Sequence, residues 1–113
     1  MNNEFLNWCN DRTADCMAQQ RALSADGRGD EARFMQIRAN VYGIFPAVYK
    51  AVKGDLTALQ ERLTSIPAAW ERNLQLAEAH GDAQTAHIER IKLETAAAIR
   101  HYVANLQEAM RND

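Results

Sequence analysis

Three glycine–aspartate pairs divide this chain of 113 residues and set the strongest limit on its fold. The pairs are Gly29-Asp30, Gly54-Asp55 and Gly81-Asp82. Glycine is the preferred residue just after a helix, where the backbone turns left-handed. Aspartate is among the best residues to begin a helix, because its carboxylate accepts hydrogen bonds from the free N–H groups of the first turn. Each pair therefore predicts that one helix ends and the next begins there.

The segments between the pairs show the apolar spacing of helices, and none shows the alternation that is typical of strands. We therefore predict four helices, at about residues 3–25, 30–53, 55–80 and 82–111. Because the joints are so short, successive helices should run antiparallel. The expected fold is an all-α, up-down-up-down antiparallel four-helix bundle, with residues 1–113 forming a single domain.

Two prolines fall inside these segments, Pro46 in the second helix and Pro67 in the third. An interior proline usually kinks or breaks a helix. The apolar spacing holds its phase from Leu56 to Ala77, so we expect one kinked helix across Pro67. The alternative is that Ser65 caps a new helix, in which proline would occupy a favourable first-turn position. At Pro46 we also expect a bend.

The first two helices differ in their apolar faces. Thr13 and Gln20 dilute the apolar face of the first helix, so we expect this helix to dock most weakly. The second helix carries two adjacent apolar stripes, and Met35, Tyr42 and Tyr49 recur every seven residues in one of them. An apolar arc this wide needs more than one partner helix, or another subunit.

Met35, Tyr42 and Tyr49 are therefore the predicted interface residues. They are either buried among the helices of one chain or form a patch that makes a homodimer or receives a partner protein. Tyrosine and methionine are enriched at interfaces, where a tyrosine hydroxyl can be satisfied at a wet rim. This enrichment favours association over burial within a monomer.

The charge distribution argues against two classes of partner. Thirteen basic and fifteen acidic residues are mixed along the chain, and the formal net charge is −2. Because no basic stripe occurs, we expect no nucleic-acid partner. The longest apolar runs fall far short of a membrane span, so we expect no membrane partner.

The two cysteines indicate a reducing compartment. Cys9 and Cys16 are seven residues apart on a predicted helix, which separates them by about 10.5 Å. A disulfide requires Cα atoms within about 7 Å, so the two thiols cannot pair with each other. The first twelve residues lack the charged and apolar regions of a secretory signal. We therefore expect a cytoplasmic protein with free thiols.

Two patterns resemble functional motifs without carrying the matching chemistry. Arg28-Gly29-Asp30 is the tripeptide that adhesion receptors of the integrin type bind, but a cytoplasmic chain would not meet them, and Asp30 is predicted to cap a helix. A second series recurs every seven residues: His80, His87, Glu94 and His101. Seven residues place helical side chains about 10 Å apart, whereas metal ligands on one helix lie three or four residues apart. We expect a solvated helix edge.

Catalytic patterns are missing from the sequence. It has no Glu-x-x-His pair, no glycine-rich phosphate loop and no nucleophile elbow, and no predicted core position holds Asp or Glu. Cys9 and Cys16 are expected to be inert packing thiols, unless a histidine lies beside one of them. We therefore predict no catalytic residue, no cofactor site and no metal site.

The sequence thus favours a small non-enzymatic helical protein that associates with itself, as a homodimer, or with a partner protein. The alternative is a small-ligand-binding or sensor bundle with an interior cavity. Ala97 and Ala98, placed opposite large aromatic residues, would leave that cavity near Trp70 and Tyr102.

Overall fold

The computed structural model describes residues 3–112, which form helical segments joined by short turns. No strand occurs within this range. The segments are α1 (Glu4–Ala25), α2 (Gly29–Ala51), α3 (Leu56–Ser65), α4 (Ala68–Ala79) and α5 (Ala83–Arg111). α1 packs along α2 and α4 along α5, while α2 and α3 also contact α5. The predicted all-α four-helix fold is confirmed, with α3 and α4 together forming the third helix.

Pro67 separates α3 from α4 without reversing the chain. Ile66 has φ −64° and ψ −47°, and Pro67 has φ −69° and ψ −9°, so both keep right-handed helical backbone. Proline has no N–H to donate to the carbonyl four residues earlier. That carbonyl, on Leu63, accepts a hydrogen bond from Arg100 Nη1 at 3.3 Å instead. The third helix is therefore two joined segments. α2 continues through Pro46 without a stop, and the bend expected there stays a prediction.

The three joints end their helices in the same way. Each contains a glycine in the left-handed region, with φ of 74° at Gly27, 76° at Gly54 and 71° at Gly81. At each joint a backbone N–H also donates to the carbonyl five residues earlier, which closes the end of the helix. These turns are what reverses the chain direction between successive helices.

Two of the three aspartates then cap the next helix, as predicted. Asp55 Oδ1 accepts the backbone N–H groups of Thr57 and Ala58 at 3.0 and 3.2 Å. Asp82 accepts the backbone N–H of Thr85 at 3.1 Å and its hydroxyl at 2.6 Å. Both carboxylates thus satisfy first-turn donors that no helical carbonyl can reach.

The predicted cap by Asp30 is wrong. Arg28 is the residue that precedes α2, and no side chain makes a cap hydrogen bond there. The reason is that Gly27, rather than Gly29, adopts the left-handed conformation that ends α1. Gly29 and Asp30 consequently fall inside the first turn of α2, and Arg28 forms an ion pair with Glu31.

The core lies where the start of α1 meets the ends of α2 and α5. Its members are at most 2% exposed and come from α1, α2, α3 and α5: Phe5, Cys9, Val41, Phe45, Leu59, Leu63, Ile99 and Val103. Trp8 and Tyr102 stack beside them with ring centroids 4.1 Å apart and planes 4° apart. The expectation that α1 docks most weakly is wrong, because Phe5, Cys9 and Cys16 of α1 are buried whereas Ala77 is the one buried residue of α4.

The molecule is more extended than a compact domain of its length. Its radius of gyration is 15.5 Å, against about 13 Å for a compact chain of this size. Its principal dimensions are 46 × 35 × 23 Å. Within residues 3–112, no helix combines the length and apolar character that crossing a bilayer requires.

Candidate functional site

The predicted interface residues lie on α2, and two of them contact α1. Tyr42 meets Trp8 edge-on, with ring centroids 5.6 Å apart, and Tyr49 packs on Phe5 at 5.0 Å. Met35, Tyr42 and Tyr49 are all half-buried. α1 therefore covers part of this stripe within the chain, and a role for the stripe between molecules stays a prediction.

The two thiols are buried, and burial raises the pKa of each. Cys9 is fully buried, and burial raises its pKa to about 12. Burial also raises the pKa of Cys16, although the nearby charge of Arg38 opposes part of that increase. Because the thiolate is the reactive form, both side chains remain neutral packing groups near neutral pH. Their burial is as expected of packing residues, and their lack of reactivity stays a prediction.

The histidine series is exposed along its whole length, as expected of a solvated helix edge: His80, His87, Glu94 and His101. His87 contacts the ring of Phe34 edge-on, with centroids 4.5 Å apart. Glu94 lies 3.5 Å from the guanidinium of Arg38. Within residues 3–112, no group of three or more His, Cys, Asp or Glu side chains could hold a metal ion.

The predicted positions of Ala97 and Ala98 beside an interior cavity are wrong. Both alanines are exposed, because α5 turns Ile99 toward the core and carries them on its outer side. Tyr102 is stacked on Trp8 and does not stand opposite an alanine gap. The interior-cavity alternative therefore loses the residues on which it depended.

A buried carboxylate lies where the sequence predicts none. Glu89 is 5% exposed, and its Oε1 accepts a hydrogen bond from Lys92 Nζ at 3.0 Å. Its other oxygen, Oε2, is the one buried side-chain N or O atom among residues 3–112 without a hydrogen-bond partner. The expectation that no core position holds Asp or Glu is therefore wrong. Buried polar atoms without partners are rare enough in proteins to need an explanation.

Small residues explain why Glu89 is buried. Ala77 of α4 and Ala86 of α5 are 6% and 2% exposed, and their small side chains let the two helices approach closely. Glu89 lies three residues after Ala86, on the same face of α5 as Leu93 and Ala96. The helical spacing of Ala86, Leu93 and Ala96, which includes position 89, was the sequence signal that could have found Glu89.

A cleft of about 270 Å³ opens beside Glu89, between the end of α4 and the start of α5. Its walls are Asn73, Leu76, Ala77, His80, Asp82, Thr85 and Glu89. Hydrogen bonds from the hydroxyl and then the N–H of Thr85 lower the pKa of Asp82, so this carboxylate is ionised at neutral pH. The C-terminal end of α4, with partial negative charge, and the N-terminal end of α5, with partial positive charge, both lie at this cleft.

Apolar side chains remain accessible on α2, α4 and α5. Ile44 of α2 is 37% exposed, and Ile37 of α2, Trp70 of α4 and Ile88 of α5 are half-buried. α2 and α4 each pack against α5. We call Ile37, Ile44, Trp70 and Ile88 the open apolar face. Lys92 Nζ lies 5.7 Å from the Trp70 ring centroid, and this cation–π contact borders the open apolar face.

No protein-family model, curated protein or solved structure matches this chain.

Proposed function

We propose that this chain is a small cytoplasmic, non-enzymatic helical protein whose function is association with a second copy of itself. The observation that carries the proposal is an excess of surface. The chain exposes 7004 Å², whereas a folded monomer of 12.7 kDa exposes about 6,200 Å². The difference of about 800 Å² equals the area that one partner buries in an interface of standard size.

The open apolar face is where we place this contact. A dimer with two-fold symmetry uses the same patch on both subunits, so an apolar patch can pack against its own copy. Trp70 supplies the kind of large aromatic side chain that dominates interface energies. The formal net charge of −2 opposes the approach of two copies only weakly.

Other features support the remaining parts of the proposal. The high pKa of the Cys9 thiol disfavours a nucleophilic role for it. Cys9 and Cys16 are both free, which favours a reducing cytoplasm. The stripe of Met35, Tyr42 and Tyr49 contributes less to our proposed contact than the sequence indicates, because α1 covers part of it.

Sedimentation equilibrium from micromolar to millimolar concentration tests the proposal. We expect the wild-type mass to approach that of a dimer as concentration rises. Ile44→Lys should keep the protein monomeric, because a charge at the core of an interface is strongly disfavoured. Met17→Lys is the matched control, since Met17 is 46% exposed but lies on α1. It should leave the dimer intact.

Circular dichroism of both variants checks that the fold is kept, as expected for exposed positions. A wild-type protein that stays monomeric over the whole range would overturn the proposal. Loss of the dimer in Met17→Lys but not in Ile44→Lys would overturn the placement of the interface on the open apolar face.

A further inference from the structure

We propose that the groove between the start of α1 and the end of α2 binds a small alkyl carboxylate, whose charge Lys50 and Lys53 neutralise. This inference is independent of self-association. The groove has a volume of about 570 Å³, which is within the size range of small-ligand sites. Six residues line it: Asn3, Leu6, Tyr49, Lys50, Lys53 and Gly54.

Lys53 holds a backbone position that glycine holds at the other two joints. At all three joints, a left-handed residue precedes the N–H that donates to the carbonyl five residues earlier. This residue is Gly27 at the first joint and Gly81 at the third, but Lys53, with φ of 57°, at the second. Among residues 3–112, Lys53 is the one non-glycine residue with positive φ. Any side chain makes this conformation unfavourable, and such strain is concentrated at functional sites.

Apolar side chains form another part of the lining. Leu6 and Tyr49 are half-buried, and both pack against the main core. A Cβ on Gly54 would lie 3.3 Å from Tyr49 Oη, so the Tyr49 side chain reaches the turn that contains Lys53. A hydrocarbon chain that leaves water for these surfaces gains binding energy with each methylene.

The charge of the groove comes from its two lysines. Both side chains are exposed, and neither ammonium group forms an ion pair within residues 3–112. The N-terminal end of α1 and the C-terminal end of α2 both lie at the groove, and their partial charges oppose each other. No Asp or Glu of the described residues lines it.

The two ammonium groups match the acceptors of one carboxylate. Each lysine brings N–H donors, and a carboxylate has two oxygens, so each oxygen can accept from a different lysine. Hydrogen bonds between charged groups are stronger than neutral ones. The ligand class that fits is therefore a carboxylate on a short hydrocarbon chain.

NMR titration of the full chain with sodium octanoate tests this assignment. We expect saturable amide shifts confined to the groove, at Leu6, Tyr49, Lys53 and Gly54. n-Octylammonium has the same chain but the opposite charge, so it should produce no saturable shift at these amides. Acetate has the charge without the chain and should bind at least about tenfold more weakly than octanoate.

Lys53→Gly separates ligand binding from the stability of the turn. It removes one ammonium group and gives the left-handed position the residue that the other two joints have there. We expect octanoate binding to weaken about fivefold or more, while Tm of the free protein does not fall. Arg72→Gln is the matched control, because it removes one positive charge from an exposed position on α4, outside the lining of the groove. It should bind octanoate as the wild type does.

Thermal unfolding of the wild type provides a test that does not depend on any variant. Octanoate should raise Tm, and n-octylammonium at the same ionic strength should not. The proposal is overturned if octanoate gives no saturable shift, if its shifts are as large around Trp70 as in the groove, or if n-octylammonium binds equally well. It is also overturned if Lys53→Gly retains wild-type affinity or lowers Tm of the free protein. None of these outcomes depends on whether the protein dimerises.

Discussion

Asp30 and Asp55 both follow a glycine, but Asp55 caps a helix and Asp30 does not. Replacing each by alanine therefore shows how much stability comes from the cap itself. Asp55 Oδ1 accepts two first-turn N–H groups, at 3.0 and 3.2 Å. Asp55→Ala leaves both donors without a side-chain acceptor, and we expect a loss of about 1 kcal/mol in the free energy of unfolding, within a range of about 0.5–2 kcal/mol.

Asp30→Ala should change stability far less. Asp30 is exposed in the first turn of α2, where the helix dipole favours a carboxylate by about 0.3 kcal/mol at a solvated position. Alanine has a better helix propensity than aspartate by roughly 0.5 kcal/mol, which offsets that loss. The expected net change is close to zero, although both substitutions remove one acidic residue at the start of a helix.

Urea denaturation followed by far-UV circular dichroism measures both changes. Asp55→Asn is the control for charge, because asparagine caps a helix about as well as aspartate and should retain most of the stability. A loss of 1 kcal/mol corresponds to a fall in Tm of about 4 °C for a chain of this size. Equal losses in Asp30→Ala and Asp55→Ala would refute the distinction between the two joints.

Three further predictions concern the backbone, the thiols and pH. Gly54→Ala should destabilise the protein by about 1–2 kcal/mol, because φ is +76° and a Cβ would lie 3.3 Å from Tyr49 Oη. Gly43→Ala, in open space within α2, should stabilise the protein by about 0.5–1 kcal/mol in the same urea titration. A Gly54→Ala variant more stable than Gly43→Ala would contradict both expectations. Cys9 should react with a thiol reagent only as fast as the protein unfolds, since it is fully buried with a pKa of about 12, and rapid labelling in native buffer would contradict its placement. The lowered pKa of Asp82 stabilises the fold fully above about pH 4, and this stabilisation is lost as pH falls through the pKa of Asp82 in the folded protein. Asp82→Asn should therefore lose less stability on acidification than the wild type. Equilibrium denaturation at several pH values measures the difference.

Much of the fold could be predicted because helix boundaries depend on neighbouring residues. Left-handed glycines and helical apolar spacing act within one or two turns, and they located the helices to within a few residues. The joint at residues 26–29 contains two glycines, and the sequence pattern did not indicate that Gly27 would end α1. Because Gly27 ends α1, α2 begins at Gly29 and Asp30 is not at the cap position.

The candidate sites depended on contacts between distant segments. Glu89 is buried because Ala77 and Ala86 let α4 and α5 approach closely, and neither helix shows this by itself. Tyr49 is partly covered because Phe5, which is forty-four residues earlier in the chain, packs on its ring.

The sequence by itself determined that this chain is helical and where its helices turn. These properties arise from hydrogen bonds and backbone conformations that span no more than about five residues. Only the tertiary structure decided which face of α5 meets α4 and which apolar residues of α2 remain accessible. Burial depends on the arrangement of whole helices. Glu89 is therefore buried only because α4 packs against its face of α5.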